Sequence, residues 1–222
     1  MLLVGILIGF LVFAAVSFMF PRGGPQGTGQ GIPSTINFDF LYTSEKQSWI
    51  EEVTPDFEQW FFERFNIKVN VRLVVTGSHD TVNLILWESE RPAAWSPASS
   101  IWIPYLNQKW QEQGHDEEIA QDWTPLVLSP VVIAGWASFF QEHNVSDFRD
   151  LYQLAVDGVD YKYGHPDPLL SNGGAMAVVL EFAEAFGKKP NQFEVDDFKD
   201  ETARDFVRTI ESKAVYYGKS TG

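Results

Sequence analysis

The stretch INFDFLYTSEKQSWIEEVTPDFEQWFFERFNIKVNVRLVVTGS, Ile36 to Ser78, changes its apolar period twice. Ile36, Phe38, Phe40 and Tyr42 recur every second residue, the spacing that puts side chains on one face of a strand. From Ser44 onward the spacing becomes helical, with Trp49, Ile50, Val53, Phe57, Trp60 and Phe61 on one side, and Ser44 with Gln47 three residues on has the form of a capping box. Ile67, Val69, Val71, Leu73 and Val75 then return to a period of two, and Thr76-Gly77-Ser78 ends the run. This strand, helix and strand succession is the start of a mostly parallel sheet covered by helices.

Working outward, the same alternation continues. A short helix is expected from about Asp80 to Glu88, a third strand at Ala93-Ala94-Trp95, and, after Ser96 to Ser100, a helix carrying Trp102, Tyr105, Leu106 and Trp110. The acidic piece His115 to Asp122 reads as solvated. Leu126 to Trp136 is a continuous apolar run broken by Ser129-Pro130 and Gly135, which predicts a long strand crossing between two lobes. Beyond it the pattern predicts a helix over Asp147 to Val156, a short strand near Tyr161 to Gly164, a helix over Asn172 to Phe186 and a last helix over Glu201 to Tyr217. The fold class is therefore α/β. Trp95 and Trp102 flank the serine-rich loop and are expected outside the core.

The 222 residues hold 16 Lys and Arg against 30 Asp and Glu, a net charge of −14 that repels phosphate backbones, so nucleic acid is not expected as a partner. With 45% apolar and 15% aromatic residues there is ample material for a core. No cysteine is present, which excludes disulfides, thiolate metal sites and cysteine nucleophiles. Residues 1–20 carry no charged side chain and Ser17 as their one polar residue; as a helix they reach about 30 Å, the thickness of a bilayer core. They read as a transmembrane anchor in preference to a cleavable signal, since the start lacks Lys and Arg and Ala15 with Ser17 makes a poor cleavage site. Residues 21–34 are rich in Gly, Pro, Gln, Thr and Ser and read as a flexible linker; Arg22 on the domain side argues for a cytoplasmic domain, on one charge alone.

No metal-binding or nucleophile motif is present. His79, His115, His143 and His165 lack paired metal spacing and read as surface or hydrogen-bonding histidines, and no cofactor is implied. A catalytic arrangement would need Ser96 or Ser171 beside His165. Small hydroxyl residues cluster instead where strands end and helices begin: Thr43-Ser44, Gly77-Ser78, Ser96 to Ser100, and Ser171-Asn172. In an open α/β sheet ligands sit beyond the carboxyl ends of the strands, where helix N-termini offer unpaired N–H groups. Each serine alone is explained by helix capping; four groups in one layout point to a shared cleft.

The blocks Tyr42-Thr-Ser44, Trp95-Ser-Pro-Ala-Ser-Ser-Ile-Trp102, Leu126 to Ala134, Tyr163-Gly-His-Pro-Asp-Pro-Leu-Leu-Ser-Asn-Gly-Gly174 and Ile210 to Gly222 carry a resemblance. In this order they resemble the extracellular solute-binding proteins of the molybdate/sulfate-like class, in particular the membrane-anchored branch often joined to a von Willebrand factor A domain. The resemblance implies a periplasmic-binding-protein type II fold, with lobe 1 over residues 35–128 and lobe 2 over 129–222, closing on a small polar solute or an oxyanion. It further implies a domain outside the membrane, an ABC permease as partner, and a chain short of its second crossing back to lobe 1. The family's ligand-contacting positions carry over to Thr43, Ser44, Ser78, Ser96, Ser99, Ser129, Asp167, Ser171 and Asn172. No arginine or lysine is among them, and Asp167 is unfavourable to an anion. An interaction scaffold on the same fold, without solute binding, is the alternative.

Overall fold

The computed structural model describes residues 33–220. The expected anchor, 1–20, and nearly all of the expected linker, 21–34, lie outside the described residues, and among the described residues no helix is long and apolar enough to cross a membrane. The fold is mixed α/β with two small parallel sheets, and the chain divides between Val127 and Leu128 into two compact units.

In the first unit, β1 (Thr35–Thr43) lies between β2 (Lys68–Thr76) and β3 (Ala94–Ser96), parallel to both. It is buried on both faces. Phe38 packs with Val69 under Phe57 and Phe61 of α1 (Gln47–Phe65), whereas Leu41 turns the other way, against Val82 and Ile85 of α2 (Ser78–Leu86) and Trp102 and Leu106 of α3 (Trp102–Glu112). The period-2 and period-3.6 apolar patterns thus meet as two helix-covered layers. Asn66, in the left-handed region at φ 54°, ends α1 and turns the chain into β2. Midway along the β1–β2 pair Arg72 of β2 bonds Asp39 of β1, its direct cross-strand partner, and Glu90. The Arg72 guanidinium holds the Asp39 carboxyl below the usual carboxylate range.

The second unit has β4 (Tyr163–Pro166) and β5 (Ala214–Gly218) paired in parallel, covered by α5 (Phe148–Val156), α6 (Asn172–Phe186) and α7 (Glu201–Glu211), with the short α4 (Ala137–His143) before them. Ala203, Phe206, Val207 and Ile210 form the buried stripe of α7, and Phe206, Val207 and Ile210 meet Phe148, Leu151 and Tyr161 in the core. Asp147 caps α5 through the Asp150 N–H, Ser171 caps α6 through the Gly173 N–H, and Asp200 caps α7 through the Thr202 N–H.

Four expectations are corrected. Leu126 to Trp136 is not a crossing strand: Pro125 and Pro130 remove backbone donors and Leu128, Val132 and Trp136 are exposed, so the run has no partner strand and no buried face. The last helix stops at Glu211 and does not run to Tyr217: Ala214–Gly218 is a strand, with Val215 and Tyr216 exposed. Ser44 does not head a capping box, because a 3-10 turn, Ser44–Lys46, precedes α1 and moves the helix start to Gln47. Trp102 belongs to the core, and Trp95 packs against it while donating from Nε1 to Thr81 Oγ1 at 2.9 Å.

One close approach fixes the second unit. A Cβ on Gly174, in the first turn of α6, would lie 1.9 Å from the Pro166 carbonyl oxygen at the end of β4, whereas one on Gly158 would meet nothing within 4 Å but would sit at φ +77°. In denaturant unfolding Gly174→Ala is expected to cost more than about 3 kcal/mol through backbone displacement. Gly158→Ala should cost about 1 to 2 kcal/mol, from its left-handed backbone alone. Equal costs would mean that helix and strand are not in contact at Gly174.

Candidate functional site

The parallel register brings the ends of the first unit's strands level: Thr43 of β1 stands opposite Thr76 of β2, and Tyr42 opposite Ser96 of β3. From β1 the chain passes through α1 to β2 on one side, and then across to β3 on the other. In an open α/β sheet such a reversal leaves a crevice beyond the carboxyl ends of the two strands, here β1 and β3.

The rim of that crevice is a hydrogen-bonded knot. Thr43, 1% exposed, donates through Oγ1 to the Glu45 carboxylate, and the same oxygen lies 3.4 Å from the Ser96 carbonyl. Lys46 directs its ammonium to Thr43 Oγ1 at 2.8 Å, Glu45 Oε1 at 2.6 Å and the Pro97 carbonyl at 3.4 Å, although only 7% of its side chain is exposed. A buried ammonium requires such a full set of acceptors. Ser78, 2% exposed, accepts the Ala98 N–H at 3.2 Å on Oγ while its carbonyl accepts the Thr81 hydroxyl at 2.6 Å. Ser99 is half-buried and accepts the Ile101 N–H at 3.4 Å, and Ser44 is half-buried within the 3-10 turn.

Thr43, Ser78 and Ser96 are therefore brought together with the Pro97–Ser99 loop at one edge of the first sheet. Sequence reasoning did not single out Lys46; its signal was adjacency to Thr43-Ser44 at a strand end. Chemically, the knot offers a cation already paired with a half-exposed carboxylate, so an anionic group from outside would compete with Glu45 for the same ammonium. The apolar cavity of about 60 Å³ under α1, lined by Phe38, Phe40, Trp49, Ile50, Phe57 and Leu126 among others, offers no comparable polar anchor.

In the second unit Asp167 does not face outward as a free charge: Oδ1 accepts the Leu169 N–H at 2.8 Å and its carbonyl accepts the Ser171 N–H at 2.8 Å. Ser171 Oγ accepts the Gly173 N–H at 3.3 Å, and Asn172 opens α6. Ser129 lies exposed in the segment without regular secondary structure before α4, so its expected place in a crossing strand is corrected. His165 does not meet Ser171: Nδ1 is 2.7 Å from the Pro166 carbonyl and Nε2 2.8 Å from Glu211 Oε1. Glu181, from the middle of α6, completes a group in which one ligand atom of each of His165, Glu181 and Glu211 lies within 4.8 Å of the others. Burial first, and then the Glu211 charge, push the Glu181 carboxyl well above its ordinary value. The bond to Glu211 and burial push the Tyr217 phenol up to about 12. No motif spacing joins residues 165, 181 and 211, so this group was not legible in the sequence.

No protein-family model matches the chain, and no curated protein matches it.

The knot makes a stability test. Ser78→Ala leaves the Ala98 N–H without its acceptor and is expected to cost about 1 to 3 kcal/mol. Lys46→Met strips a donor from Thr43, Glu45 and Pro97 together and should cost at least as much, both read by urea unfolding. If Lys46→Met proves neutral, the ammonium does not hold the loops.

Proposed function

We propose that the chain is an extracytoplasmic solute-binding protein of the periplasmic-binding-protein type II kind, anchored by residues 1–20 and supplying a small oxyanion, or another anionic polar solute, to an ABC-type importer. The observation that carries this reading is the buried Lys46 ammonium at the crevice between β1 and β3, beside the Thr43 hydroxyl and the Pro97–Ser99 loop. Glu45 holds the place on Lys46 that an anion would take, and it is exposed enough to swing aside. The resemblance of the strand-end blocks to the molybdate/sulfate-like class supports the same reading. So does the strand reversal, the commonest address for ligands in open α/β sheets.

A scaffold role on this fold, joined to a von Willebrand factor A partner in place of a permease, is favoured by one fact. Ser78, Ser99 and Ser171 each already accept a backbone N–H and so have a use without any solute.

Mass spectrometry with elemental analysis of whatever copurifies with the chain, followed by melting with molybdate, sulfate and phosphate, separates the two. The expected result is a melting rise with at least one anion, of about 2.7 kcal/mol at one hundred times its dissociation constant. That rise should be smaller in Ser99→Ala and larger in Glu45→Gln, where the competing carboxylate is gone. A chain that copurifies with nothing and melts unchanged with every anion is a scaffold. For location, protease added to intact cells should digest the domain while a cytosolic control survives; protection until lysis would overturn the extracytoplasmic assignment.

A further inference from the structure

The second unit holds a group of side chains that the solute-binding reading does not use. His165 lies on β4, Glu181 in the middle of α6 and Glu211 at the last residue of α7. Glu181 is 0% exposed, and the side chain of His165 is 6% exposed. Tyr163 donates its hydroxyl to Glu181 Oε1 at 3.0 Å and Tyr217 donates to Glu211 Oε2 at 2.5 Å, which leaves Glu181 Oε2 buried without a hydrogen-bond partner. Among the described residues no lysine or arginine pairs with either carboxylate; the Lys213 ammonium turns instead to the Val159 carbonyl and the Tyr161 ring.

We propose that His165, Glu181 and Glu211 form a binding site for one divalent transition cation of the zinc type. Both ring nitrogens of His165 face oxygens, and with a proton kept on Nδ1 for the Pro166 carbonyl, Nε2 would present its lone pair to an ion held by the carboxylates. This is the arrangement by which a backbone carbonyl orients a metal-binding imidazole. Nε2 and Glu211 Oε1, 2.8 Å apart, stand at hydrogen-bond distance, so a proton or a cation lies between or beside them. One neutral imidazole and two carboxylates carry −2, which a divalent ion cancels at once. The ligand set of one nitrogen and two carboxylate oxygens matches zinc in type; ligands at about 2.0 to 2.2 Å from such an ion stand about 3.3 to 3.6 Å apart, so the group, whose atoms lie within 4.8 Å of one another, must part His165 Nε2 and Glu211 Oε1 from their present 2.8 Å to admit it.

Calcium and magnesium fit less well, since they take six or more oxygen ligands or a largely hydrated shell. Glu211, whose side chain is 21% exposed, and the exposed Tyr217 form the side from which an ion enters. Tyr163 and Tyr217 hold the carboxylates in place. Protons supply the other way to lower the charge of the group, with Glu181 as a carboxylic acid, the form that its burial favours.

The full 222-residue chain, purified in detergent and stripped with chelator, is titrated with Zn²⁺ by calorimetry and with Co²⁺ by visible absorption. The expected result is one saturable equivalent of Zn²⁺, an intense Co²⁺ spectrum of low coordination number, and a higher melting temperature that a chelator reverses. Glu181→Gln keeps the shape and the Tyr163 partner, should melt no lower than wild type without metal, and should weaken Zn²⁺ binding by about tenfold or more. Should that variant not fold, Glu211→Gln serves in its place and the wild-type titration still decides. Absence of a saturable equivalent in the wild type overturns the proposal and leaves a proton-held carboxyl pair. Binding unchanged in the variants, or Mg²⁺ bound as tightly as Zn²⁺, overturns it in favour of surface carboxylates.

Discussion

Leu41 and Tyr42 are adjacent in the chain, point to opposite faces of β1 and are each almost wholly buried, at 1% and 0% exposure. That double burial obliges the first unit to place helices on both sides of one strand and to pair that strand on both edges, because a backbone with no access to water must find its hydrogen bonds in neighbouring strands. The order β2-β1-β3 follows, and with it the reversal of direction between β1 and β3 and the crevice that lies beyond them. Thr43 sits on the rim because it is the next residue of the same strand. The polar knot around Lys46 is thus a consequence of the apolar sandwich one residue upstream.

The second unit solves a harder problem with less material. Its sheet has two strands, and α6 presses so close to the end of β4 that only glycine fits at position 174. The same tight packing carries the carboxylate of Glu181 into the interior opposite His165. A buried acid of this kind is seldom retained for stability alone, since an apolar residue of the same volume does as well or better.

Where burial and periodicity coincide, the sequence was a good guide. The alternation of Ile36, Phe38, Phe40 and Tyr42, the helical set around Phe57 and Phe61, and the helix over Asn172–Phe186 all appear as read. Between Leu126 and Trp136 apolar composition without alternation predicts a buried strand, but Pro125 just before the run and Pro130 within it remove donors that a ladder needs. At Ala214–Gly218 five residues were too few to separate a strand from the end of a helix. The hydroxyl residues at the strand ends could be found because strand ends leave a local signature. Lys46 and the group of His165, Glu181 and Glu211 could not, because their meeting is a property of the three-dimensional packing.

The pairing of β4 with β5 joins residues separated by the whole of α6 and α7, whereas β1 and β2 are separated by α1 alone. A ribosome emits residues at about 5 to 20 per second, so the β1–β2 pair is complete while α5 is still unmade. The second sheet cannot begin to zip until Ala214 has appeared, and every residue of α6 and α7 must wait without its backing strand. Closing the longer loop adds only a little entropy, since that cost grows with the logarithm of length. The greater consequence is temporal: for the interval of synthesis between Tyr163 and Gly218, the apolar stripe of the second unit is open to whatever chaperone holds the nascent chain.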